Sequence, residues 1–171
     1  MDLKDTPNKR SKIARPEETV VERRARLASN ALVRGHDHTL RRHLAEGLDP
    51  ESFYYSRSCG FWSQRMIGEA AWGGDVECVK ALEDAGARLT DEEIVRAMSP
   101  SHNKRMVAYL LTTGKFDPAG SMSSGRSWAD AISQLRPEPL RNVVQAISEW
   151  ERSQLSSALE PTPAKARTKF L

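Results

Sequence analysis

The strongest constraint on this chain is a phrase that occurs three times, each copy closing on a glycine. Gly35 leads through residues 36–46 to Gly47, and Gly74 leads through residues 75–85 to Gly86. A third copy runs through residues 106–113 to Gly114, with His102 standing where the first glycine would be. A helix that ends on glycine can put that residue in the left-handed region, where the last carbonyls are satisfied at little steric cost. Between the glycines the apolar positions keep helical spacing: Leu40 and Leu44; Val79 and Leu82; Met106, Val107, Leu110 and Leu111. Ahead of each phrase lies a second short helical stretch, at residues 27–33, 67–72 and 94–98, in which Ala28, Ala31, Ala70, Ala71 and Ala97 let a partner helix approach closely. The unit reads as helix, tight turn, helix, glycine, loop. Such a unit cannot bury its apolar face alone, so its repetition predicts a stack.

Ala70-Ala71-Trp72-Gly73-Gly74-Asp75, followed by Val79, Leu82 and Gly86-Ala87, resembles the Ala-Ala-x-x-Gly…Val…Leu…Gly-Ala core of the ankyrin repeat. Gly35-His36 is similar to the family's Gly-His turn, and residues 125–132 look like the loop-to-helix start of a fourth unit. The likeness covers roughly residues 27–159. It implies an all-α, ankyrin-like helix-turn-helix repeat solenoid of about four units that binds another protein. The chain also departs from the family. Its units lack the opening Thr-Pro-Leu-His, and the terminal glycines Gly47, Gly86 and Gly114 are 39 and then 28 residues apart, against about 33 in regular arrays. The longer interval holds an insertion at residues 50–65, and the shorter one has lost most of its finger loop. In the fourth unit Pro137 and Pro139 break the turn before residues 140–147.

The formal charge of +3 is unevenly distributed. Residues 1–16 carry five basic and two acidic groups, residues 160–171 carry three and one, and the remainder holds 18 basic against 20 acidic groups. The repeat region at 17–159 is therefore slightly acidic between two basic tails. The polar head at 1–16, with Pro7 and Pro16, cannot bury enough surface to offset its ordering and is expected to be flexible. Within it, residues 7–12 resemble a basic nuclear-import signal. A capping helix is expected from Pro16 through Val20, Val21 and Leu27, because proline and the acids Glu17 and Glu18 suit a first helical turn. Pro161 and Pro163 end the last helix before the tail at 160–171. No apolar run approaches the roughly 20 residues that span a bilayer, and residues 1–5 lack the apolar segment of a signal peptide. The expected setting is a cytosol, the cell's own or that of a host.

Catalytic chemistry is hard to assemble from these residues. His36, His38 and His43 surround Asp37, but residues two apart on a helix point away from each other, so no metal is expected there. His36 falls at the turn, and His43 aligns with Leu82 and Leu110 as a packed side chain. Two cysteines make no disulfide framework: Cys78 falls on a core-facing position, and Cys59 lies in the insertion. No nucleophile elbow, Walker loop or Cys-x-x-Cys occurs. Residues 120–125 are small and polar without the strand or Gly-Lys-Ser/Thr of a phosphate loop, and read as a flexible connection between the third and fourth units. Neither enzyme activity nor a cofactor is expected.

One segment stands apart. Phe53, Tyr54, Tyr55, Phe61 and Trp62 are five of the chain's eleven aromatic residues, gathered between positions 53 and 62. Aromatic and arginine side chains bury much area for few rotors and so anchor interfaces. Tyr54, Tyr55, Arg57, Trp62 and Arg65 are the candidate partner contacts; the alternative is that two or three of the aromatics plug the space between the first and second units, and if only some are core, Phe53 and Phe61 are expected inward. The expected function is a non-enzymatic protein binder, acting as inhibitor, neutraliser or effector through the concave face of the array and residues 50–65. The alternative is a nucleic-acid-associated regulator using the basic tails. No membrane partner and no small-molecule substrate are expected.

Overall fold

A computed structural model describes residues 19–56 and 61–159. The elements in chain order are α1 (Val20–Val33), α2 (Asp37–Ala45), β1 (Phe53–Ser56), β2 (Phe61–Arg65), α3 (Met66–Gly73), α4 (Val76–Asp84), α5 (Asp91–Met98), α6 (Lys104–Thr112), α7 (Trp128–Ser133) and α8 (Pro137–Leu159). Consecutive helices pack in pairs: α1 with α2, α3 with α4, α5 with α6, α7 with α8. The pairs also pack on one another. α1, α3 and α5 are neighbours in one row, and α2, α4, α6 and α8 in a second. Among the described residues, the all-α class and the pairing of helices are as expected. The insertion adds a two-stranded antiparallel ribbon, β1–β2, that periodicity did not predict.

Local chemistry starts and stops these short helices. Thr19 and Glu22 form a capping box on α1, and Thr90 and Glu93 form another on α5. Ser127 caps α7 by accepting from the Asp130 N–H. At the other ends, Gly47, Gly86 and Gly114 adopt φ of 90°, 109° and 67°. At each of them the glycine N–H reaches the carbonyl three residues back. The following N–H reaches five back: Leu48 to His43, Ala87 to Leu82, Lys115 to Leu110. This double bond satisfies carbonyls that a helix end otherwise leaves orphaned.

The core lies between the two rows. Ala28, Ala70, Ala71 and Ala97 are buried in the first row beneath Met66, Ile67 and Met98, while Leu40, Val79, Leu82, Met106, Leu110 and Leu111 come from the second. Each such aliphatic contributes about 1.5–3 kcal/mol through burial, enough in sum to hold helices of eight or nine residues that would be marginal alone. Two polar side chains tie the pairs together. Asp75 caps α4 by accepting from the Cys78 N–H at 3.1 Å, and a Cβ at Gly35 would come within 2.9 Å of its carboxylate. Asn103 holds the same place one pair later. Its Nδ2 donates to the carbonyls of Ala71, Trp72 and Ala97 at 3.2, 2.9 and 2.7 Å, bracing the ends of α3 and α5 together.

Three sequence expectations need correction. Among the described residues no separate capping helix precedes the first pair: α1 is one helix of 14 residues, so Val20, Val21 and Leu27 belong to the first helix of that pair, and Val20 and Val21 remain exposed. The postulated start at residues 16–18 lies outside the described residues, as do the head, the import-like run at 7–12 and the tail at 160–171. Pro137 and Pro139 do not break a turn; they fall in the first turn of α8, where proline costs no intrahelical bond. Residues 120–125 are fastened rather than loose. Ser121 bridges to Ser127, and Asp91 accepts from the N–H and hydroxyl of Ser123 at 2.5 and 2.6 Å. Phe116, fully buried, packs edge-on against Trp128 with ring centroids 5.1 Å apart and closes the core beneath this loop.

Candidate functional site

The ribbon joins the first helix pair to the second. Its backbone register sets Phe53 opposite Arg65, Tyr54 opposite Gln64, Tyr55 opposite Trp62, and Ser56 opposite Phe61. The shift between Tyr54 and Tyr55 leaves Ser63 as a bulge, a device that sharpens twist and bends a ribbon. The Met66 N–H donates to the Ser52 carbonyl at 2.9 Å and closes the base, and β1 packs against α1 and α3. The backbone thus brings the predicted contacts Tyr54, Tyr55 and Trp62 onto adjacent rungs. Arg57 and Cys59 lie outside the described residues, and so does the expectation about the side chain of Phe61. Phe53 was expected inward and is 54% exposed. The residue paired with it across the ribbon, Arg65, is charged and engaged elsewhere, so it offers the ring no apolar cover.

Among the described residues of the site, Arg65 makes several hydrogen bonds to other elements. Its Nε donates to Glu93 Oε1 at 3.0 Å, one terminal nitrogen reaches Glu93 Oε2 and the Arg88 carbonyl (3.0 Å to the latter), and the other terminal nitrogen reaches Glu51. Burial opposes the guanidinium charge, yet the hydrogen bonds to Glu93 and Glu51 outweigh it and raise its pKa further. Glu93 is shared, because the same Oε2 accepts from the N–H and hydroxyl of Thr90 at 2.9 and 3.1 Å. Glu51 in turn accepts from the Arg88 N–H at 3.3 Å. A Cβ on Gly68 would come within 2.8 Å of Glu93 Oε1 and 3.1 Å of its Cγ and Cδ, so only glycine leaves Glu93 this room. Arg65, expected as a partner contact, is consumed by contacts within the chain.

The two helix rows differ in their surfaces. Charges on the second row pair with one another: Arg41 with Asp84 at 2.7 Å, Lys104 with Glu149 at 2.8 Å, Arg105 with Glu77 at 3.9 Å. The hydrogen bond to Asp84 raises the Arg41 pKa. The first row keeps Trp72 at 43% exposure, with the Arg96 guanidinium 5.7 Å from its ring centre. One turn before Trp72, burial raises the carboxyl pKa of Glu69, against the pull of Arg96. Neither Trp72 nor Asn103 stood out in the sequence. Asn103 is masked by the neighbouring His102 as an ordinary turn residue, whereas the exposure of Trp72 depends on which flank of α3 the neighbouring helices cover.

Among the described residues no group of three or more His, Cys, Asp or Glu is placed to hold a metal ion. His36 precedes α2 without a side-chain capping bond, and His43 is buried as expected. Cys78 is fully buried, and burial together with Asp75 pushes its thiol pKa far up, which keeps it protonated and unreactive. A groove of about 400 Å³ lies along Glu83, Gly86, Ala87, Arg88, Leu89 and Lys115. Its carboxylate is already taken by Tyr109, at 2.5 Å, and by Lys115, at 3.3 Å. Among the described residues no helix is long and apolar enough to cross a membrane. The sequence matches no protein-family model and no curated protein.

Proposed function

We propose that this chain is a non-enzymatic protein-binding module, an ankyrin-like stack of four helix pairs that captures a partner protein with its first-helix row and its aromatic ribbon. The observation that carries this reading is the ribbon itself: five aromatic residues within positions 53–62, presented on a bulged antiparallel backbone whose base is pinned to the helices. Phe53 on β1 and Trp72 near the end of α3 are further exposed aromatic residues. Binding energy in protein interfaces concentrates in a few such residues. The second row meets its charges within the chain, while the first row presents Trp72, which favours the first row as the gripping face; Val144 and Leu155 of α8 are exposed as well. The stack acts by binding, as an inhibitor, neutraliser or effector.

The test is affinity capture from native cytosol with nuclease present, comparing wild type with the Trp62→Ala/Tyr55→Ala double variant. One stoichiometric protein, lost in the variant while helical circular dichroism and melting temperature are retained, is the expected result. Recovery only of nucleic-acid-associated proteins that vanish on nuclease treatment would refute the reading and move the function to the basic tails. Loss of fold in the double variant would mean that these two aromatics are core rather than contact.

A further inference from the structure

We infer that Arg65 is a positioning residue: it fixes the direction in which the aromatic ribbon leaves the helices, and it does so through the N-terminus of α5, a helix of the pair beyond. The functional consequence rests on the ribbon being the contact surface; the geometry does not. Arg65 is the last residue of β2 and immediately precedes α3, so it stands at the hinge between ribbon and stack. Among the described residues, this side chain ties the base of β2 to elements that lie before β1 and beyond α4. Its acceptors come from three places, Glu51 before β1, the Arg88 carbonyl after α4, and Glu93 in the first turn of α5. A guanidinium can serve all three because its donors lie in a planar fork; an ammonium is a point donor and cannot.

Glu93 makes the device cooperative. It completes the Thr90 capping box with the same oxygen that receives Arg65, so an ordered ribbon and an ordered start of α5 require the same rotamer. Gly68 is the third part. It is the third residue of α3, where glycine is less favourable than alanine by up to about 1 kcal/mol, and its missing Cβ is the space in which the Glu93 side chain lies. A helix-weakening residue is thereby explained by a contact with the clamp. Gly35, Gly47, Gly74, Gly86 and Gly114 are left-handed and serve helix ends; the φ of Gly68 is ordinary and only its size matters.

The experiment is site-resolved amide hydrogen exchange on the full chain, without any partner, for wild type, Arg65→Met, Arg65→Lys and Gly68→Ala. In Arg65→Met the hydrogen-bonded amides of 53–56 and 61–65 should exchange at least tenfold faster, while the amides of α4 and α6 stay within twofold. Arg65→Lys should recover only part of that protection. Gly68→Ala should speed the ribbon in the same direction, although its effect on helix propensity alone would stabilise α3. Acceleration spread evenly over all helices would overturn the inference, since Arg65 would then be a general stabiliser. So would an unchanged ribbon in Gly68→Ala, or full protection in Arg65→Lys. Should Arg65→Met fail to fold, the other two variants decide. Failure of partner capture leaves these outcomes untouched, so the two readings fail separately.

Discussion

Gly74 and Gly86 both adopt a left-handed backbone, with φ of 78° and 109°, yet alanine should be tolerated very differently at the two positions. At Gly86 an added Cβ meets nothing within 4 Å. The cost there is the left-handed strain of about 1–2 kcal/mol, reduced by about 0.4–1 kcal/mol because alanine also restricts the unfolded chain. A net loss of about 1 kcal/mol follows. At Gly74 the same strain applies, and the Cβ would lie 2.4 Å from Asn103 Oδ1 and 3.3 Å from its Cγ. Asn103 is 2% exposed and holds three carbonyls, so it can retreat only by giving up those bonds. At about 1 kcal/mol net for each bond, Gly74→Ala should lose about 4 kcal/mol in all. For a chain of this size that corresponds to falls in Tm of about 3 °C for Gly86→Ala and about 12 °C for Gly74→Ala. Urea unfolding followed by far-ultraviolet circular dichroism measures both. In an Asn103→Gly background the penalty at position 74 should shrink to that at position 86. Equal penalties in the wild-type background would refute the claim that Asn103 is what the glycine accommodates.

Two further outcomes follow from burial and charge. Phe116→Ala should cost about 3–5 kcal/mol, because it empties a fully buried site and strips Trp128 of its edge-on partner; the same unfolding assay reads it, and a loss below about 1 kcal/mol would mean the site collapses freely. Glu69→Gln should raise Tm at neutral pH. Burial raises the folded-state pKa of Glu69 above its unfolded value, so its charge destabilises the fold at pH above the folded pKa, and that destabilisation is lost as pH falls below the unfolded pKa. The advantage of the variant should therefore disappear on acidification, and an advantage independent of pH would point to packing instead.

The helix pairs were legible because their signals are local. Terminal glycines, apolar spacing and small residues in the first helices each act within one turn, and every helix they marked is present. The core positions of Cys78 and His43 were legible for the same reason, as His43 aligns with Leu82 and Leu110 and Cys78 with Met106, all of them buried. The ribbon was not, because aromatic residues at 53–55 and 61–62 fit a plug, a loop or a strand equally well until a partner strand is specified. Arg65 was taken as a surface anchor since its acceptors lie 14 and 28 residues away along the chain. No spacing rule connects Gly68 to Glu93. The prolines of α8 were misread for a simpler reason: at a helix start and in an inter-helix turn they satisfy the same backbone constraint.

The bracing by Asn103 also bears on how the chain is made. The carbonyls of Ala71 and Trp72 receive their side-chain donor from a residue 32 and 31 positions further on. During synthesis, α1 to α4 can leave the ribosome and collapse while the end of α3 still has water where Asn103 will sit. The second pair therefore reaches its final stability only once the third has emerged, and a nascent chain arrested between them is a provisional structure, open to chaperones and proteases for that interval.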